Sequence, residues 1–347
     1  MKRYVTISHL AMLLRRMALV AVLVLGSQAV SAQKLTKVAR HVDSLLTLRY
    51  ERANIDTNYV YRPKTKWTLV GRYNLTGSEI SSEGVIYGQN MKTELEAKGK
   101  STVTVGVSYL GISLNLSLNP AKLLGLYHDY ELGFRSYGKR FGFDIAYQDA
   151  QNFKGWHEVN GERQDITTSD NLFRLRTFNV NTYFVFNHRR FSYPAAFAHS
   201  YIQRRSSGSF LLALSGQGQH GKADEDDKNT GANEPKKVDF KVTHIAFGAG
   251  YGYNFVPSQR WLLHLSVLPT LIIYSKSSVI VDDSDGPLHH RLPEGIITCR
   301  ASIVKQFDNN MFAGLSGVYT TTRVGDNENL VLHNRKWLIR LYFGVRL

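Results

Sequence analysis

The sequence predicts an all-β protein: a single antiparallel transmembrane β-barrel of about twelve strands with a short N-terminal helix. Three observations carry that expectation. Long stretches alternate apolar and polar residues with a period of two, which puts one kind on each face of a strand. Beyond the first 32 positions no run of about 18 apolar residues occurs, which excludes helical membrane spans. The 347 residues include 19 tyrosines and 17 phenylalanines, enough for aromatic girdles at both membrane interfaces.

The clearest alternation is the last. Trp337, Ile339, Leu341, Phe343, Val345 and Leu347 share one face, with Arg340, Gly344 and Arg346 on the other. One face suits hydrocarbon and the other suits water. An open edge in lipid leaves backbone groups unpaired at several kcal/mol each, so this strand is expected to close the barrel against the first.

Residues 1–32 read as a cleaved secretory signal. Lys2, Arg3, Arg15 and Arg16 form its basic region, Met17 to Leu25 its apolar core, and Val30-Ser31-Ala32 its cleavage site. The expected address is the outer membrane of a Gram-negative cell. Residues 33–66 follow as a helix, with Leu35, Val38, Val42, Leu45 and Leu46 at helical spacing, and an extended lead-in containing Pro63. That helix would pack under the barrel, plug it or stay mobile. Residues 67–347 form the barrel. Cys299 is the only cysteine, so an intrachain disulfide and a cysteine metal site are both excluded.

Strands then follow in order. Trp67, Leu69, Gly71, Tyr73 and Leu75 face away from Thr68, Arg72 and Asn74, and residues 84–97 are a weaker strand. Val103, Val105, Val107 and Tyr109 alternate with polar or small residues, after which the apolar set moves to Ile112, Leu114, Leu116 and Leu118. The change of parity predicts a bulge near Leu110-Gly111 in one long strand; two strands and a very tight turn are the alternative. Tyr130, Leu132 and Phe134, the turn Tyr137-Gly138-Lys139-Arg140, and Phe141, Phe143, Ile145 and Tyr147 read as a hairpin. A long polar loop is expected from Asp149 to Asn171, then a strand through Phe178, Val180, Phe184 and Phe186. Later strands centre on Leu211, Phe247, Leu265, Cys299 and Leu315, with a hydrophilic loop from Gln217 to Lys237. A soluble sandwich would also alternate, but with strands of about 5–6 residues.

One block breaks the pattern: Phe191-Ser192-Tyr193-Pro194-Ala195-Ala196-Phe197, then Tyr201-Ile202-Gln203-Arg204-Arg205-Ser206. Pro194 removes a ladder donor, and Asn187 to Arg190 is strongly polar. The block is therefore expected at a barrel mouth, with Phe191, Tyr193 and Phe197 tucked in and Arg204 and Arg205 toward water or a phosphate. With Asp56-Thr57-Asn58-Tyr59-Val60, Ser117-Leu118-Asn119-Pro120-Ala121-Lys122 and Tyr137-Gly138-Lys139-Arg140-Phe141-Gly142-Phe143, it resembles the Bacteroidetes family catalogued as domain of unknown function 4421. The resemblance implies an outer-membrane β-barrel and brings no established activity.

The chemistry is sparse. His264-Leu265-Ser266 has the spacing of a base and nucleophile on one strand face. Its parity points into the lumen, and no asparagine follows on the strand to orient the histidine, so a hydrogen-bond pair is expected and no enzyme. Asp283, Asp285 and Glu294 fall at ligand positions of a calcium loop, but Leu288 stands where glycine is required, so a solvated loop and no metal is the reading. No phosphate-binding glycine loop or dinucleotide fingerprint occurs, and no cofactor is expected. The net charge is +15, four units of it in the signal. A secreted basic chain points to outer-membrane lipid, lipopolysaccharide phosphates or small anionic solutes rather than nucleic acid. The barrel assembly machinery is the partner expected for insertion.

The candidate ligand residues are Arg72, Arg135, Arg174, Arg176, Arg300 and Arg340 on polar strand faces, with Arg346 in the same class, and Arg204 and Arg205 at the mouth. Two functions fit them. One is a non-enzymatic pore for small anionic solutes. The other is a closed structural or lipid-binding barrel, its arginines paired with acids such as Glu131 and Asp144. A lipid-modifying enzyme comes third.

Overall fold

A computed structural model describes residues 40–41, 43–48, 54–86, 89–110, 112–118, 130–150, 153–166, 173–224, 237–281, 284–286, 294–308, 310–326 and 330–347. The signal segment and most of the loop Asp282–Pro293 lie outside these. Residues 40–41 and 43–48 are helical, where the helix was expected.

The wall has twelve strands. They are β1 (Trp67–Ile86), β2 (Gln89–Tyr109), β3 (Ile112–Leu118), β4 (Tyr130–Tyr137), β5 (Phe141–Ala150) and β6 (Phe173–Val185). The circuit continues through β7 (Ser207–Asp224), β8 (Lys237–Ser258), β9 (Trp261–Val281), β10 (Glu294–Gln306), β11 (Met311–Asp326) and β12 (Leu330–Arg346). Each strand pairs antiparallel with the next, and β12 pairs with β1 from Leu330 opposite Gly84 to Arg346 opposite Thr68. Backbone hydrogen bonds between Trp67 and Leu347, at 2.9 and 3.0 Å, continue the seam to its end. The cylinder is closed, so every wall strand has two partners.

Outside and inside are reversed relative to a soluble protein. Leu114 is 70% exposed, Leu265 61% and Leu341 60%, all outward, while Asn74, Thr104, Ser113 and Thr270 are buried within. No water-soluble fold leaves that much apolar surface uncovered. It is the wall of a membrane-spanning barrel.

Tyr109 pairs with Ile112, so β2 and β3 are two strands joined by a tight turn, not one bulged strand. Leu110 takes a positive φ of 48° to make it. The turns between β4 and β5, β8 and β9, and β10 and β11 are also short and lie at this same end. At the other end β1 and β2 are 20 and 21 residues long, more than a membrane requires. A hairpin, Phe153–Val159 and Glu162–Ile166, extends them by pairing with Met91–Ala97. This hairpin occupies the expected polar loop Asp149–Asn171, and β7 runs well into the expected loop Gln217–Lys237, to Asp224.

Candidate functional site

The connection from β6 to β7, residues 186–206, folds into the short-turn end of the cylinder as a plug. Ser192 caps the short helix Tyr193–Phe197, accepting from the Ala195 N–H at 3.2 Å, and Pro194 sits in the first turn, where its missing donor costs nothing. Ala195 and Ala196 are small enough for the helix to press on the wall, and the Ser302 hydroxyl on β10 donates to the Ala196 carbonyl at 2.9 Å. Phe191, Tyr193, Ala198 and Tyr201 are buried, Phe191 completely. Arg346 donates from Nε to the His199 carbonyl at 2.7 Å and from Nη1 to Gln306 at 3.0 Å. The lead-in joins the plug: Val60–Tyr61 pairs with Ile202–Gln203.

A three-residue chain fastens the plug from the wall. Asn254 on β8 donates to the Ser192 carbonyl and to Gln203 Oε1, both at 3.0 Å. With its amide nitrogen committed, its Oδ1 accepts from His264 Nδ1 at 2.7 Å. His264 Nε2 then accepts the Ser266 hydroxyl at 3.0 Å. The asparagine that no reading of one strand could supply comes from the neighbouring strand, in register opposite His264. The order of donors is that of a nucleophile and its base. However, Ser266 is 4% exposed, and the rings of Phe191, Tyr193 and Phe197 pack on His264 at 5.9, 5.5 and 4.9 Å. The hydroxyl is thus covered by the plug, and the chain ties the plug to the wall.

Above the plug lies a cavity of about 270 Å³. Its floor is a polar knot across the lumen. Arg300 on β10 reaches Asp144 on β5 at 3.5 Å and donates to the Tyr183 hydroxyl. Tyr137 and Tyr183 donate to the two Asp144 oxygens at 2.6 and 3.1 Å. Thr270, Thr320, Asn179, Asn181, Lys336 and Arg340 complete the polar lining. Among the described residues Asp144 is the only carboxylate in it, against three cations, Arg300, Lys336 and Arg340.

The family described as Domain of unknown function (DUF4421) matches residues 54–347. The chain belongs to that family. No curated protein matches this DUF4421 barrel. Among solved structures it is similar to the translocator domain of the autotransporter NalP from Neisseria meningitidis, at 11% identity and a TM-score of 0.29, over 92% of this chain and 100% of that one. It is also similar to the toluene transporter TodX of P. putida, at 10% identity and a TM-score of 0.29, over 87% and 92%. A third is the outer membrane protein OprG of Pseudomonas aeruginosa, at 9% and 0.29, over 83% and 99%. Overlap this loose leaves the geometry of the DUF4421 barrel to rest on its own strand pairings.

The nine arginines do not gather at one site. Arg300 and Arg340 line the cavity. Arg72 is buried inside, donating to Asn115 at 2.6 Å, and Arg346 fastens the plug. The Arg135 side chain lies outside the described residues; its backbone pairs with Asp144 and Ser113. Arg174 and Arg176 are a correction. They share parity with the outward Phe178, so they stand on the outer wall and pair with Asp149 at 2.5 and 3.5 Å. Arg204 and Arg205 are exposed at the mouth as expected, Arg204 lying 4.4 Å over the Tyr61 ring. Lys139, Arg140 and Arg189 crowd the same rim, and burial together with those two cations lowers the Lys139 pKa to about 8. Asn254 and Gln203 were missed because their role depends on register and on a folded loop, neither of which leaves a periodic signal.

Proposed function

We propose that the protein is a non-enzymatic outer-membrane barrel of transport type, whose vestibule accepts small anionic solutes and whose passage is closed by the plug. The carrying observation is the cavity of about 270 Å³ with Arg300, Lys336 and Arg340 set against the carboxylate of Asp144. Charge rings of one sign within low-dielectric walls select ions of the other sign. The volume is below the roughly 300–1,000 Å³ of drug-sized sites, which favours small solutes. A closed structural barrel is the second reading, supported by the clamp of Asn254, His264 and Ser266.

Planar-bilayer recording separates the two. The wild-type barrel should stay mostly closed, and the paired substitution Asn254→Ala with Ser302→Ala should give frequent anion-selective openings. Adding Arg300→Gln and Arg340→Gln should remove the selectivity. A folded but silent Asn254→Ala/Ser302→Ala variant would favour the closed barrel instead. Lipid turnover abolished by His264→Ala would establish an enzyme.

A further inference from the structure

We propose that the outer wall of β6 to β9 carries a binding site for a phosphate-bearing glycolipid of the outer leaflet. The site has a cationic band and an apolar furrow beneath it. At the long-loop end, Arg174 and Arg176 on β6, Lys222 on β7, Lys241 on β8 and Lys276 on β9 all take outward positions on adjoining strands. Two carboxylates temper them: Asp149 bridges the two arginines, and Asp239 holds Lys222 at 3.3 Å together with His220 at 3.0 Å. Lys241 and Lys276 are exposed and have no carboxylate partner among the described residues.

This surplus belongs to one sector. On the wall around β1, β2 and the added hairpin the described cations meet acids: Lys92 with Glu83, Lys154 with Glu96, Arg335 with Glu79. A general need for solubility would not, among the described residues, pair the cations of one side with acids and leave Lys241 and Lys276 on the other without them.

Height and shape point to a lipid. On β9 the outward face runs from Trp261 to Tyr274, which at ~3.4 Å per residue and ~40° tilt is roughly 33 Å along the membrane normal. Lys276 stands just beyond that limit, where headgroup phosphates lie. Immediately below the band, Gly216 and Gly218 leave open space over the outward face of β7, with no atom within 4 Å of where a β-carbon would stand. Val180 and Phe178 border this furrow on one side and Ile245 on the other. An acyl chain fits a groove of that kind. The cations also spread over four strands, about 14 Å at ~4.8 Å per gap. A single glycerophosphate is too narrow for that span, whereas a phosphorylated disaccharide with several acyl chains reaches across it.

The test is lipid retention by the full-length protein in neutral detergent, counted by native mass spectrometry with diphosphoryl lipid A, dephosphorylated lipid A and phosphatidylglycerol. Diphosphoryl lipid A should be retained about tenfold over the other two. Lys222→Gln with Lys241→Gln and Lys276→Gln should abolish that preference, and Gly216→Leu with Gly218→Leu should weaken retention while sparing the electrophoretic signature of a folded barrel. Arg204→Gln with Arg205→Gln, at the opposite end, should change nothing. Retention independent of phosphate, equal retention of phosphatidylglycerol, or a triple lysine variant that binds as well as wild type would each overturn the proposal. None of these readings depends on whether the lumen conducts.

Discussion

Asp144 shows what one residue carries in this barrel. Two tyrosine hydroxyls donate to it and the Arg300 guanidinium faces it, with only about a tenth of either charged side chain exposed, 12% and 11%. Asp144→Asn keeps the volume but leaves Arg300 without a counter-charge. The expected loss is about 3–5 kcal/mol, against about 1 kcal/mol for Tyr137→Phe, read from urea unfolding in lipid vesicles. The two partners were visible in the sequence as polar members of alternating strands. That a lumen arginine would pair with Asp144 was one of the two expectations. Which arginine was not legible, because β5 and β10 are far apart around the wall and touch only across a lumen narrow enough to allow it. Arg174 and Arg176 teach the opposite lesson: their parity with Phe178 already placed them outside, and on a strand position outweighs chemical type.

At the scale of the element, the plug was legible as an exception, since a proline and a polar run cannot sit in a membrane strand. Its fold was less so. The hairpin at Asn160-Gly161 had its signal in plain view, Asn-Gly with positive φ values of 50° and 92°, and was hidden by the polarity around it. The bulge expected at Leu110 became a turn because a leucine accepted a left-handed backbone, which composition argues against. Within the plug, His199 lies between the rings of Phe312 and Tyr342, at 4.4 and 4.5 Å. Burial first, and then Arg72 and Arg346, hold its pKa well below the usual histidine value. The unfolded chain therefore binds a proton that the folded one refuses, and stability falls as the pH drops below ~6.5. Thermal unfolding in detergent should shift down on going from pH 7.5 to 5.5, His199 contributing at most about 1.4 kcal/mol per pH unit, and His199→Gln should reduce the dependence by its share.

For the molecule as a whole, alternation was enough to give the cylinder and its seam, because both faces of every strand obey one rule. The count of twelve held because two misplacements cancel. Residues 84–97 are the end of β1 and the start of β2 and not a strand of their own, and the run expected as one bulged strand is the end of β2 and β3. Leu341 lies near the middle of the membrane-spanning part of β12 and points outward. Leu341→Arg should cost about 2–4 kcal/mol in folding into vesicles, while the same substitution at an exposed loop position should cost almost nothing. The lead-in gives the assembly a mechanical property. Tyr59 accepts from the Arg204 N–H at 2.7 Å, Asp56 donates from its own N–H to Arg189, and its carboxylate meets Arg190 at 3.3 Å. Strand and stopper are thus tied together at several rungs, while the stopper is itself tethered to the staves at both ends. A tug on the amino-terminal thread would be felt at once by the cork and by the β4–β5 turn, whose Lys139 donates to the Asn54 carbonyl, before it reached the rest of the bottle.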